Sequence, residues 1–151
     1  MTDGRIIALD VGERRIGVAA CDPSGIVVRA VGTVNAEPRE RALADLQRIV
    51  RDEEAVLIII GLPLTLRGEH GPQAQRVTAF AAALGSVVNV PIQFRDERYT
   101  SIEAERIIAE RGGKKKKRRR GEVDEIAATL ILQDYLQEQA MCRSRSYDDD
   151  P

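Results

Sequence analysis

The apolar positions of this chain change period several times, and each change marks an element. Ile6 to Leu9 form an unbroken apolar run that meets a carboxylate at Asp10 and a glycine at Gly12. A short apolar run ending in a charge reads as a buried strand, Arg5 to Val11, that delivers the charge to a sheet edge. Ile16 to Cys21 forms the second strand. Asp22-Pro23-Ser24-Gly25 is a strong turn signal, and Ile26 to Val34 forms the third strand. Links this short require antiparallel neighbours, so the chain opens with a three-stranded meander. Gly12 allows a tight turn beside Asp10, and Gly17 leaves room for a close approach. Taken alone, the Asp10 stretch fits a solvated strand end better; the position of the other acids overturns that.

After Pro38 the period becomes helical. Ala42, Leu43, Leu46, Ile49 and Val50 recur at three and four, which predicts an amphipathic helix from Pro38 to Glu53. Ala55 to Ile60 is rich in β-branched residues and apolar on both parities, the pattern of a strand covered on both faces. A helix between two strands is a crossover, so this fourth strand lies parallel to one of the meander. A long loop through His70 leads to a helix that starts at Pro72 and ends at Gly85. Val87 to Phe94 is the fifth strand, with Pro91 hinting at an edge or bulge. Thr100-Ser101-Ile102-Glu103 fits a capping box for a helix reaching Arg111. Glu122 to Gln139 forms the last helix, burying Val123, Ile126, Ala127, Leu130 and Ile131. The architecture expected is one α/β domain over residues 1–140, followed by a disordered tail over 141–151.

Composition narrows the class. At 151 residues with 43% hydrophobic and 31% charged residues, the chain suits a single soluble domain. No apolar run approaches the length of a membrane span, and the N-terminus lacks a signal-peptide core, so a cytoplasmic location is expected. Cys21 and Cys142 have no metal-ligand spacing, and a single histidine excludes a histidine-based metal cluster. The net charge of −1 hides a polarised distribution. Lys114, Lys115, Lys116, Lys117, Arg118, Arg119 and Arg120 are consecutive; without them the rest carries 16 basic against 24 acidic residues, a net −8. One concentrated basic segment on an acidic body suggests a placed contact for a polyanion, against the alternative of a solvated loop.

If strands one, four and five run parallel, their C-terminal ends share one edge, where ligands of open α/β sheets bind. Those ends are Asp10, the Gly61-Leu62-Pro63 turn and Asp96-Glu97. A further acid, Asp124, lies in the first turn of the last helix, whose Ala127 and Ala128 are small enough for close packing on the sheet. Three converging carboxylates without histidine or cysteine describe a site for Mg²⁺ or Mn²⁺. Two such ions about 4 Å apart activate water and stabilise the leaving oxygen in phosphodiester cleavage. Strand parity leaves Asp96 and Glu97 equally eligible.

This order of elements, with acids at those stations, resembles the ribonuclease H-like superfamily and, within it, the YqgF/RuvX family. The matching segments are Asp10-Val-Gly-Glu-Arg-Arg-Ile-Gly17-Val-Ala, Gly61-Leu-Pro-Leu64, Gly71-Pro72, Asp96-Glu97-Arg98-Tyr-Thr100-Ser101 and Val123-Asp124-Glu-Ile-Ala127-Ala128. They appear in family order across nearly the whole chain. The resemblance implies a mixed five-stranded sheet, an antiparallel meander plus two parallel strands, with helices on both faces. It implies a metal-dependent nuclease that matures the 16S ribosomal RNA precursor or, alternatively, resolves Holliday junctions. It assigns catalytic metal ligation to Asp10, Glu97 and Asp124, choosing Glu97 over Asp96. The expected partners are nucleic acid and, as one option, a second copy of the chain, with no membrane.

Around those acids, Arg15 and Arg98 read equally as phosphate contacts or as braces for the carboxylates. Lys114 to Arg120 read as nucleic-acid contacts because they directly precede the helix bearing Asp124. Thr100 reads as a helix cap and His70 as a surface residue. Asp10-Val-Gly12 followed by Ile16-Gly17 also resembles the first phosphate loop of actin-like ATPases and sugar kinases, but this chain lacks room for their second domain and second Gly-rich loop. A non-catalytic nucleic-acid-binding module is the remaining rival.

Overall fold

The structure is a computed structural model that describes residues 4–65, 67–97 and 122–148. Its elements are β1 (Arg5–Val11), β2 (Arg15–Cys21), β3 (Val28–Asn35), α1 (Arg39–Asp52), β4 (Ala55–Leu62), α2 (Pro72–Gly85), β5 (Ile92–Asp96) and α3 (Glu122–Asp148). The five strands form one sheet in the order β3-β2-β1-β4-β5. β1–β2 and β2–β3 are antiparallel, whereas β1–β4 and β4–β5 are parallel. The expected mixed sheet is therefore present, and the C-terminal ends of β1, β4 and β5 share one edge. The helix expected over Thr100–Arg111 and the basic run lie outside the described residues.

Strand parity divides the core into two layers. Ile7, Leu9, Ile16, Val18, Ile58 and Ile60 face α1 and α2, which contribute Ala42, Leu46, Val77, Phe80 and Leu84. Ile6, Ala8, Ala19, Cys21, Leu57 and Ile59 face α3, which contributes Ala128, Ile131 and Leu132. The second layer holds the smaller residues, so α3 lies close to the sheet. The closest approach is at Gly17, where a Cβ would overlap the carbonyl oxygen of Asp124.

Several boundaries differ from the sequence pattern; β4 and β5 run two residues further, to Leu62 and Asp96, and three other differences have a local cause. β3 begins at Val28 and not Ile26, because Ile26 and Val27 give their N–H groups to Asp22 Oδ1 at 3.0 and 3.1 Å. β5 begins at Ile92 and not Val87, because the amides of Val87 and Val88 cap α2 by donating to the Leu84 carbonyl at 3.0 and 3.1 Å. The α3 helix runs through Asp148, so residues 141–148, expected as tail, are helical. Ala140, Met141, Arg143 and Arg145 favour helix and no Gly or Pro intervenes before Pro151, so nothing stops the helix at the expected place.

The contact at Gly17 generates a stability prediction. Gly17→Ala forces α3 away from β2 and should cost about 1–3 kcal/mol, the usual range for overpacking. Gly85→Ala is the control: its Cβ would meet only Ile92 Cδ1 at an ordinary 3.7 Å. It should lie within about 0.5 kcal/mol of the parent, as surface substitutions generally do. Equal denaturation midpoints for the two variants would show that α3 does not depend on close packing at Gly17.

Candidate active site

The parity that builds the α3 layer also places the acids. Asp10 continues the row of Ile6 and Ala8, and Gly61 continues the row of Leu57 and Ile59, so both fall on the α3 side at the C-terminal edge. In β5 the row is Gln93, Arg95 and then Glu97. Arg95 pairs with Asp134 of α3 at 2.8 Å and with Glu138, which fixes that row on the same side. The Glu97 N–H donates to the Leu62 carbonyl at 3.1 Å, extending the parallel ladder to the last residue of β4. Glu97, and not Asp96, thereby shares a face with Asp10.

Gly61 is the seat that lets the acids meet. A Cβ there would lie 2.5 Å from Glu97 Oε2 and 2.6 Å from Ile131 Cδ1, so only glycine leaves room for the carboxyl beneath α3. The Glu97 side chain reaches Asp10 and hydrogen-bonds to it. Burial and the neighbouring Asp10 charge push Glu97 up to about 9. Burial, followed by the Asp124 charge, raises Asp10 to about 6. At neutral pH the protonated Glu97 donates to the ionised Asp10, and the pair carries one negative charge between them. Two carboxyl groups this close cannot readily ionise together in a poorly hydrated site.

Asp124 approaches from the other side. The close contact at Gly17 brings the first turn of α3 over the sheet edge, where Arg15 Nε donates to Asp124 Oδ2 at 3.2 Å. Asp124 Oδ1 faces the β1–β2 turn, 3.9 Å from the position of a Cβ on Gly12. That turn is closed by Gly12 N–H donating to the Arg15 carbonyl at 3.0 Å, and Glu13 in it pairs with Arg76 of α2 at 2.9 Å. Asp10, Glu97 and Asp124 thus gather at one edge. Among the described residues, however, no three His, Cys, Asp or Glu side chains form a group arranged to hold a metal ion. Asp10 and Glu97 bond to each other, and Asp124 is turned toward Arg15.

Of the other expected site residues, Arg15 belongs to this group, while Arg98 and Lys114 to Arg120 lie outside the described residues. His70 is exposed in the loop after β4. Sequence reasoning overlooked the seat at Gly61 and the anchor at Arg95. The period-two spacing of Arg95 and Glu97 was the available signal for the latter.

The carboxyl pair makes stability depend on pH. Both folded-state values lie above the ordinary 3.8 and 4.5, so the folded protein holds these protons more tightly than the unfolded chain does. Their contribution is complete below about pH 4 and is lost as pH rises through about 6 and about 9. Asp10→Asn removes the repulsion at nearly constant volume. In chelator it should be more stable than the parent at pH 8, by on the order of 1 kcal/mol, with the difference vanishing near pH 4. Denaturant titrations at the two pH values check this; a variant less stable than the parent at pH 8 contradicts the like-charge account.

The family model for RuvX, described as Holliday junction resolvase, matches residues 4–138. A Chloroflexus aurantiacus protein named "Putative pre-16S rRNA nuclease" is 44% identical over 148 residues, covering 98% of this chain and 96% of its own. A Thermoanaerobacter pseudethanolicus protein of the same name is 37% identical over 135 residues, covering 89% and 97%. Among solved structures, T. thermophilus RuvC in complex with a Holliday junction substrate is similar with a TM-score of 0.55 at 14% identity, over 89% of this chain and 96% of that one. The fowlpox virus Holliday junction resolvase is similar with a TM-score of 0.54, also at 14% identity, over 89% and 99%. At such identities the structural likeness is one of fold. The family match and the two relatives, each spanning most of the chain, go further: this protein belongs to the RuvX (YqgF) family, built on the ribonuclease H-like fold.

Proposed function

We propose that this chain is a nuclease that hydrolyses phosphodiester bonds in maturation of the 16S ribosomal RNA precursor, with Asp10, Glu97 and Asp124 as its metal-ligating catalytic residues. The observation that carries the reading is that Asp10 and Glu97 bond to each other at the C-terminal edge of the parallel strands with the Asp124 charge beside them, in a chain whose relatives are named for that activity. Resolution of branched DNA is the second reading, favoured by the description of the family model.

The donor set fits a hard divalent cation, Mg²⁺ or Mn²⁺, because it offers carboxylate oxygens and no nitrogen or sulfur. The half-buried Asp10–Glu97 pair adds a reason, since it is held together by a proton that a cation can replace. When bound, such ions supply an activated water and stabilisation of the leaving oxygen. The residues of the chain do the rest. Asp10 is held in β1 and Glu97 just past the end of β5, with Gly61 of β4 between them, and Asp124 is held by a helix docked against the sheet. Exclusion of bulk water by α3 strengthens every charge interaction at that edge. Substrate contact is assigned to Arg15, Arg98 and the cations Lys114 to Arg120, the last of which join the sequence directly before α3.

Asp10→Asn and Asp124→Asn should each lower cleavage at least a hundredfold while leaving the fold intact, measured on a ribosomal RNA precursor and a four-way junction with Mg²⁺ or Mn²⁺. Glu97→Gln should lose far more activity than Asp96→Asn. Undiminished cleavage by Asp10→Asn removes the site assignment, and cleavage of the junction alone favours the second reading. If neither substrate is cut by the parent, the chain is a binding module.

Replacing Lys114 to Arg120 with Gly and Ser should weaken binding of all sequences alike. If half the run engages phosphates, the log–log salt slope should flatten by roughly 2 to 3, at about 0.7 per contact on single strands and 0.9 on duplex. Turnover at saturating substrate should survive. An unchanged salt slope would return the segment to a solvated loop.

A further inference from the structure

Arg15 is launched from a fixed point. It opens β2, pairs with Asn35 of β3, and accepts the Gly12 N–H on its carbonyl at 3.0 Å. The preceding carbonyl, of Arg14, accepts the Ala36 N–H at 2.8 Å. Arg15 lies two residues before Gly17, so the two share the face on which the first turn of α3 rests. The helix backbone sits on Gly17, and the guanidinium meets the side chain of Asp124.

This ion pair is partly shielded from solvent: its side chains are 35% and 22% exposed, comparable to Arg5 and Glu53 at 39% and 13% and below the 46% and 74% of Arg76 and Glu13. Among the described residues, Asp124 is the one ion-pair or hydrogen-bond partner of the Arg15 side chain. Its charge is therefore committed to the carboxylate that would complete a three-acid set with Asp10 and Glu97. In the arrangement observed, that set is not closed.

Resting on the reading of Asp124 as a metal ligand, we propose that Arg15 is the built-in counter-ion of Asp124, and that a divalent cation competes with its guanidinium for that carboxylate. Arg15 thereby lowers the affinity of the site for the cation, and the competition frees the guanidinium to meet a phosphate beside the acids. A positive charge a few ångströms from a divalent ion opposes its binding even in high dielectric. A mere brace would act in the opposite direction: without it Asp124 would be less well aimed, and the cation would bind more weakly. The sign of the change therefore separates the two roles.

The test is Mn²⁺ titration of metal-stripped full-length protein without nucleic acid, with free Mn²⁺ read by electron paramagnetic resonance. Arg15→Gln should tighten the Kd about tenfold, the scale of one neighbouring unit charge at partial exposure. Arg15→Lys, which keeps the charge but not the planar fork, should fall between parent and Arg15→Gln. Should Arg15→Gln fail to fold, a two- to threefold tightening in Arg15→Lys supports the proposal. Affinity unchanged or weakened in the folded variants overturns it. A parent that binds no Mn²⁺, or Asp124→Asn binding as tightly as the parent, overturns the metal reading itself and the counter-ion role with it.

Discussion

The approach of α3 to β2 at Gly17 is the constraint on which the candidate site depends. A helix can lie this close to a sheet only where side chains are missing or small, and the α3 side of the sheet supplies Ala8, Gly17, Ala19 and Gly61 in the rows that matter. Ala127 and Ala128 of the helix complete the fit, both of them almost fully buried. The opposite layer is built mainly of large side chains, Ile7, Leu9, Ile16, Val18, Ile58 and Ile60, and has no glycine in its cluster. Large side chains thus build the stable half of the core on one face. The other face trades packing volume for proximity between Asp124 and the carboxyls of the sheet.

Proximity has an electrostatic cost, and the molecule meets it in two ways. Asp10 and Glu97 share a proton, held there by burial and by the neighbouring charges, that of Asp124 on Asp10 and that of Asp10 on Glu97. Asp124 is matched by Arg15, which leaves the sheet beside the point where the helix lands. Such a cluster destabilises the fold that carries it, as functional sites commonly do. The apolar layers on both faces sustain it, together with polar ties remote from the edge. One is Glu53, which sits between Arg5 at 2.8 Å and Arg29 at 2.6 Å and joins the end of α1 to β1 and β3.

The family and the acids were legible in the sequence because they depend on local pattern. The unbroken run Ile6–Leu9 ending at Asp10, the apolar run before Gly61, and the alanines after Asp124 are short-range signals, and they place β1, β4 and α3 with their charges at the right ends. The parallel pairing of β4 with β1 followed from the helix between them. The starts of β3 and β5 were decided by hydrogen bonds that periodicity does not encode: the Asp22 side chain taking the amides of Ile26 and Val27, and the Leu84 carbonyl taking those of Val87 and Val88.

Residue type and order determined the sheet and its acidic edge. Parity within β5 could not be read in isolation, because its exposed residues alternate without a clear apolar face; the pairing of Arg95 with Asp134 and Glu138 of α3 decided it for Glu97. The role of Arg15 was likewise open between phosphate contact and brace. Only the landing of α3 on Gly17 set its guanidinium against Asp124, because Arg15 and Asp124 lie 109 positions apart in the chain, a separation at which no local pattern carries information.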